Sequence, residues 1–161
     1  MYCLDSDCGR GFKRIGSICV NISSVAVASS EIQAKCAELG ASPLTTTSSE
    51  MFYQLRVCLN YYDFLQFIIF IIPLFFKAYA RDLLSDDLWS DFKDGNSATS
   101  YQNTDGNTIE SMNMGAEIWV ASESYAAPCV ILSSSLSDQH KLKSVACTHQ
   151  AKYACIKQCM F

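Results

Sequence analysis

Nine cysteines are the first residues in this chain whose type and spacing could do chemistry. Thiols can pair as disulfides, hold zinc as thiolates or act as nucleophiles. Zinc sites of the common kind need tight C-x-x-C spacing, and no such pair occurs. His140 and His149 are the only histidines, so Cys147-x-His149 makes at most half a metal site. A Cys–His nucleophile needs a reduced, low-pKa thiol and an orienting third group. No third group suggests itself, and no glycine-rich phosphate loop is present. An enzyme is therefore not expected. Disulfides remain, and at this density they point to an oxidising compartment: a secreted or cell-surface protein. Asn21-Ile22-Ser23 is an N-glycosylation acceptor, which has meaning only there.

The carboxylates are unevenly spread. Residues 1–81 carry seven bases and six acids, 82–128 one base and nine acids, and 129–161 four bases and one acid. The acidic middle runs from Asp82, Asp86 and Asp87 through Asp91, Asp94, Asp105 and Glu110 to Glu117 and Glu123. It could hold a cation or face a basic partner, although a solvated loop face is the plainer reading. No Lys/Arg cluster with interleaved aromatics appears, so a nucleic-acid partner is not expected.

What positions these groups is one domain's worth of chain. Of 161 residues, 50% are apolar and 17% charged, enough for a single core and unlike a disordered composition. Ser30 can cap a helix through Leu39, with Ile32, Cys36 and Leu39 on one face and Gly40 ending it. Thr47-Ser48-Ser49-Glu50 reads as a capping box, with Phe52, Leu55 and Leu59 on the face that follows. Residues 93–114 read as a long loop region with turns at Asp94-Gly95 and Asp105-Gly106. Strands are expected at 118–121, 129–132, 144–147 and 152–157, the last with Tyr153 and Cys155 alternating with polar or small neighbours. Helices early and strands late make an α+β domain.

Residues 64–76, FLQFIIFIIPLFF, stand apart. A spanning helix needs about 20 residues, and Pro73 would interrupt this one, so a buried strand is preferred. The run would also fit an exposed partner surface, an aggregation-prone segment or an artefact of the coding sequence. The N-terminus shows no basic segment followed by an apolar stretch. A leader removed or left out reconciles this with the cysteines; a cytosolic protein is the alternative.

Cys129, Cys147 and Cys155, with Leu142, Ser144, Tyr153 and Ala154 at set distances, resemble the C-terminal signature of the C-type lectin-like domain family. CGRGFKRIGSIC (8–19) resembles its opening hairpin. Cys36, Gly40-Ala41, Glu50 and Phe52 fit its two helices, and Trp89, Phe92, Asp94 and Gly95 its Trp-rich strand. The match covers 8–157, so a single C-type lectin-like domain over 1–161 is expected, with an atypical apolar segment at 64–76. The family's WIGL-type strand is not visible, and part of FLQFIIFIIP is a candidate for its place. Six cysteines can pair in fifteen ways. The resemblance implies Cys8–Cys19, Cys36–Cys155 and Cys129–Cys147. That pairing argues against a membrane span, which would put Cys36 and Cys155 on opposite sides. Cys3, Cys58 and Cys159 stay unassigned. Cys3 with Cys159 is the guess, leaving Cys58 inert or as a handle for a second chain.

In calcium-dependent lectins of this family a loop motif, Glu-Pro-Asn or Gln-Pro-Asp, and a Trp-Asn-Asp motif hold the ion. Leu142-Lys143-Ser144 stands at the second motif here, placing an ammonium where an amide oxygen should be. The first motif aligns on Glu123-Ser124-Tyr125 or on Thr108-Ile109-Glu110, and neither supplies the proline or the closing amide. No cofactor is expected, because calcium's usual ligands are missing. The resemblance then implies calcium-independent binding of a protein or glycan ligand through residues 96–128. Tyr101, Trp119 and Tyr125 are candidate anchors, with Glu123 and Lys143 beside them; Trp119 could equally be core. The alternatives are a lectin holding calcium in an unusual site and a disulfide-linked multimerising component.

Overall fold

The computed structural model describes residues 8–9, 11–15, 18–56, 87–135 and 140–158. Its first strands, β1 (Lys13–Ile15) and β2 (Ile18–Ile22), form an antiparallel hairpin with Arg14 opposite Cys19. β2 pairs on its other side with β7 (Ala154–Gln158), and β7 with the short β3 (Ser42–Pro43), giving the order β1-β2-β7-β3. A second antiparallel sheet has the order β4-β5-β6, from Leu88–Lys93, Cys129–Leu132 and Leu142–Val145. Helix α1 (Ile32–Glu38) follows a 3-10 turn at Ser29–Glu31, and residues 49–56 form α2. This is the α+β, disulfide-stapled architecture the resemblance implied.

Among the described residues, three disulfides close it. Cys8–Cys19 ties the approach to the hairpin, Cys36–Cys155 joins α1 to β7, and Cys129–Cys147 joins β5 to the turn after β6. These are the three implied pairs. Cys3, Cys58, Cys159, Leu59 and the apolar run 64–76 lie outside the described residues.

β5 is buried along its whole length because it is the middle strand of its sheet. Its alternation sends Val130 and Leu132 into a core with Phe52, Phe92 and Trp119, and Cys129 and Ile131 into another with Val27, Cys36 and Trp89. The sheets meet at the entry to β7. Trp89 N–H donates to the Lys152 carbonyl at 2.8 Å, while Leu44 N–H donates to that of Ala154 at 2.9 Å. The chain after β3 and β4 therefore flank the same stretch of chain and diverge from it. Asp91 staples that fork: its carboxylate accepts from Thr46 N–H at 3.0 Å and from Thr104 N–H at 3.1 Å.

Several local expectations need correction. The first helix is not capped by Ser30: the Glu31 carboxylate accepts from Ala28 N–H at 3.0 Å, which starts the turn two residues earlier. Leu39 is 47% exposed, since α1 ends at Glu38 and only Cys36 within it is buried. The second cap is Ser48 rather than Thr47. Its hydroxyl accepts from Met51 N–H at 3.1 Å, and Glu50 instead takes the Gln54 amide at 2.9 Å. Residues 118–121 are not a strand: Ala116–Ile118 is a 3-10 turn, and Trp119 makes one bridge to Leu142. The expected alternation at 152–157 fails because residues 151–155 lie between both cores and all are buried. At Asp94-Gly95, the positive φ (60°) belongs to Asp94, and Gly95 is required because a Cβ there would overlap the Tyr101 ring.

Candidate functional site: the long loop and its tether to β6

Residues 94–128 leave β4 and return to β5 without a strand of their own. Two aromatic residues organise them from inside. Tyr101 and Trp119 pack at a tilt with centroids 5.0 Å apart, and Tyr125 meets Trp119 edge-on at 5.1 Å. The Tyr101 hydroxyl donates to the Ala127 carbonyl and the Trp119 indole N–H to that of Ala98, both at 2.7 Å. Burial pushes the Tyr101 hydroxyl above its ordinary pKa, and the Glu123 carboxylate adds to this.

Tyr101 is therefore not the exposed anchor expected of it, and Trp119 takes the alternative place given it, in the core. They are 0% and 3% exposed, because each large ring fills the space under the loop while its polar tip takes a loop carbonyl. Tyr125 is half-buried against Trp119. The two residues named for their position beside the aromatics do reach the surface. Lys143 is exposed and Glu123 partly so, in a depression of about 350 Å³ lined also by Val120, Ser122, Ser124 and Ser144.

At that depression the structure joins two segments far apart in sequence. Val120 N–H donates to the Leu142 carbonyl at 2.9 Å, which sets the loop along β6. Three residues on, the Glu123 carboxylate accepts the Ser144 hydroxyl at 2.6 Å and Ser144 N–H at 3.2 Å. It also accepts the N–H groups of Ser124 at 3.0 Å and Tyr125 at 3.1 Å. Ser122 and Tyr125, on either side of Glu123, both sit at positive φ (60° and 54°). Such residues cost about 1–3 kcal/mol each and persist where their surroundings over-determine them. A charged acceptor taking four donors does that here.

The resemblance puts calcium ligands at these two segments. Calcium takes six to eight oxygens, mostly carboxylate and amide. The chain offers one carboxylate already engaged by its own hydrogen bonds, one hydroxyl, and the Lys143 ammonium. These residues do not fit the ion. Thr108-Ile109-Glu110, the other alignment, fits no better, because Ile109 is fully buried. Among the described residues no group of three His, Cys, Asp or Glu side chains is placed to hold a metal.

The acidic middle turns out to be partly architectural, which sequence reasoning missed. Asp87 accepts Ser134 N–H at 3.1 Å and lies 3.4 Å from His149; Asp91 staples the fork. Glu117 accepts Gly115 N–H at 3.2 Å and the Tyr53 hydroxyl at 3.3 Å, and backbone donors hold its carboxyl below the usual range. Asp94, Asp105 and Glu110 are exposed. A serine or a backbone turn opposite each carboxylate was the only available signal, and such pairs are too common to single out. A second cleft, of about 530 Å³, opens where β3 and β4 fork, between Gln33, Thr45, Asp91, Gln102 and Thr104.

The strand order, the two helices and the three disulfides define the C-type lectin-like fold. By sequence, no protein-family model and no curated protein matches the chain. By structure, it is similar to SPL-1 solved with GlcNAc, at TM-score 0.59 and 17% identity, covering 98% of this chain and 100% of that one. A calcium-independent type II antifreeze protein gives TM-score 0.58 and 15% identity over 95% of both chains. The C-type lectin domain of murine dendritic cell inhibitory receptor 2, in complex with N-glycan, gives 0.56 and 14% over 94% and 98%.

Proposed function

We propose that this chain is an extracellular recognition module, not an enzyme, that binds a protein or glycan ligand without calcium through the surface of residues 96–128 and the adjoining β6. The observation that carries this reading is the Glu123 carboxylate, whose oxygens are taken by Ser144, Ser124 and Tyr125 beside an exposed lysine. A carboxylate so engaged has little left to offer a cation. Support for binding as such comes from similar structures solved with GlcNAc and with an N-glycan, and for calcium independence from the antifreeze protein described that way.

With Tyr101 and Trp119 inside, the contact surface falls to exposed polar residues: Asn96, Ser97, Gln102 and Thr104 on one side, Ser122, Ser124 and Lys143 on the other. Three disulfides support an oxidising compartment, and among the described residues no helix is long and apolar enough to cross a membrane. A glycan array and a protein-ligand screen, each run with calcium and with chelator, test the reading. Binding unchanged by chelator and weakened by Lys143→Glu supports it. Binding abolished by chelator would sink it.

A further inference from the structure

We propose that the Glu123–Ser144 pair is a metal-free latch, which holds residues 120–125 against β6 by hydrogen bonds alone and so fixes the shape of the loop surface in advance of any ligand. The segment is joined to β6 at two points, Val120 N–H to the Leu142 carbonyl at 2.9 Å and Glu123 to Ser144 at 2.6 Å. Between them the chain reverses at Ser122 in the left-handed region, and after them Tyr125 takes the same conformation with its ring on Trp119. The first point consists of backbone bonds alone, Val120 N–H to Leu142 within the bridge of Trp119 with Leu142. Only the second reaches past the reversal, because one carboxylate takes donors from β6 and from the two residues that follow it in the loop. Removing the carboxylate would release Ser124 and Tyr125 together, and with Tyr125 one side of the aromatic cluster.

The chemistry of the latch differs from that of a bound cation in what it leaves on the surface. A cation presents open positive charge to ligand oxygens. The latch consumes its own charge internally, and the exposed groups around it are the hydroxyls of Ser122 and Ser124 and the ammonium of Lys143. The loop is thus set by folding, not by ion concentration. That this segment contacts ligand rests on the reading above; the latch itself does not.

Hydrogen–deuterium exchange of the full chain, without ligand, tests it. Glu123→Ala and Ser144→Ala should speed exchange of the amides at 124, 125 and 144 by roughly tenfold or more, the loss expected for a charge-assisted hydrogen bond. Amides of β5 and β7 should not change, and Ser144→Thr, which keeps the hydroxyl, should retain protection. Neither calcium nor chelator should alter the wild-type pattern. Unchanged exchange at 120–128 in both alanine variants would overturn the latch, as would protection that rises with calcium. If Glu123→Ala loosens the whole domain, the comparison of Ser144→Ala with Ser144→Thr decides alone. Loss of ligand binding plays no part in the readout, so failure of the latch and failure of the binding role are separable.

Discussion

The side-chain amide of Asn21 donates to the carbonyl oxygen of Gly11 at 2.6 Å. Asn21 lies in β2 between β1 and β7, and this bond pins the loop closed by Cys8–Cys19. Two residues on, the Ser23 hydroxyl is also spent: it donates to the Val25 carbonyl at 2.8 Å and accepts from Tyr153 N–H at 3.0 Å. Both functional positions of the glycosylation sequon are thus structural. Protein secreted from a eukaryotic host should carry an unmodified Asn21 by mass-spectrometric peptide mapping. Asn21→Asp, which loses the donor, should lower stability by about 1 kcal/mol. A natively folded product with a glycan on most Asn21 side chains would refute this.

Asp91 joins three segments with one carboxylate. Besides Thr46 N–H and Thr104 N–H it takes the Thr104 hydroxyl at 3.3 Å, and so holds the fork between β3 and β4. The Thr104 side is exposed, which discounts its share. Asp91→Ala should destabilise by about 1–2 kcal/mol and Asp91→Asn by roughly half of that. Denaturant titration should show lower midpoints with unchanged slopes. An Asp91→Ala midpoint equal to wild type would mean the fork holds without its staple.

The legible part of the fold was the part written in covalent spacing and special backbone positions. Cysteine spacing and the Tyr153–Cys155 segment carried the resemblance, and 129–132 is the strand expected because four apolar residues there serve two cores at once. Caps slipped by one or two residues because Ser, Thr and Glu crowd both helix starts and any of several can accept the first N–H groups. The site was less legible. Trp119 and Tyr101 carry the same residue types as binding anchors, and only the partners of their polar tips, Ala98 and Ala127, separate core from surface. Glu123 and Ser144 were each visible as a departure from a calcium motif. That the two departures answer one another could not be read from residues 21 apart.

Among the described disulfides Cys36–Cys155 closes the longest loop, with a separation of 119 residues, and both sulfurs are buried in the core shared by α1, Trp89 and β5. On the chain-entropy account, whose mechanism is debated, such a crosslink contributes about 4–5 kcal/mol through the unfolded state. The double substitution Cys36→Ser/Cys155→Ser should cost at least that, because two hydroxyls would also replace buried sulfur. Loss of the cooperative unfolding transition at 37 °C is the expected outcome. Cys8→Ser/Cys19→Ser, closing a separation of 11, should leave a folded domain with a lower melting temperature. Equal effects from the two pairs would contradict the loop-length argument.

His140 is 1% exposed and sits at positive φ (56°), on the turn that leads into β6. Burial lowers its pKa below the ordinary value, the Arg56 guanidinium lowers it further, and the Asp87 carboxylate partly opposes both. A histidine depressed in the folded state binds its proton more readily when unfolded, so protonation favours unfolding. The stability it contributes is complete above the unfolded value of about 6.5 and is lost as the pH falls from there through the folded pKa. Each unit of depression corresponds to about 1.4 kcal/mol. The wild-type unfolding free energy should therefore decline from about pH 7 downward, beyond what the carboxylates, which titrate lower, account for. His140→Asn, a residue that tolerates the left-handed backbone, should flatten that decline below about pH 7 while lowering the plateau. Parallel pH profiles for wild type and His140→Asn would place the acid sensitivity elsewhere.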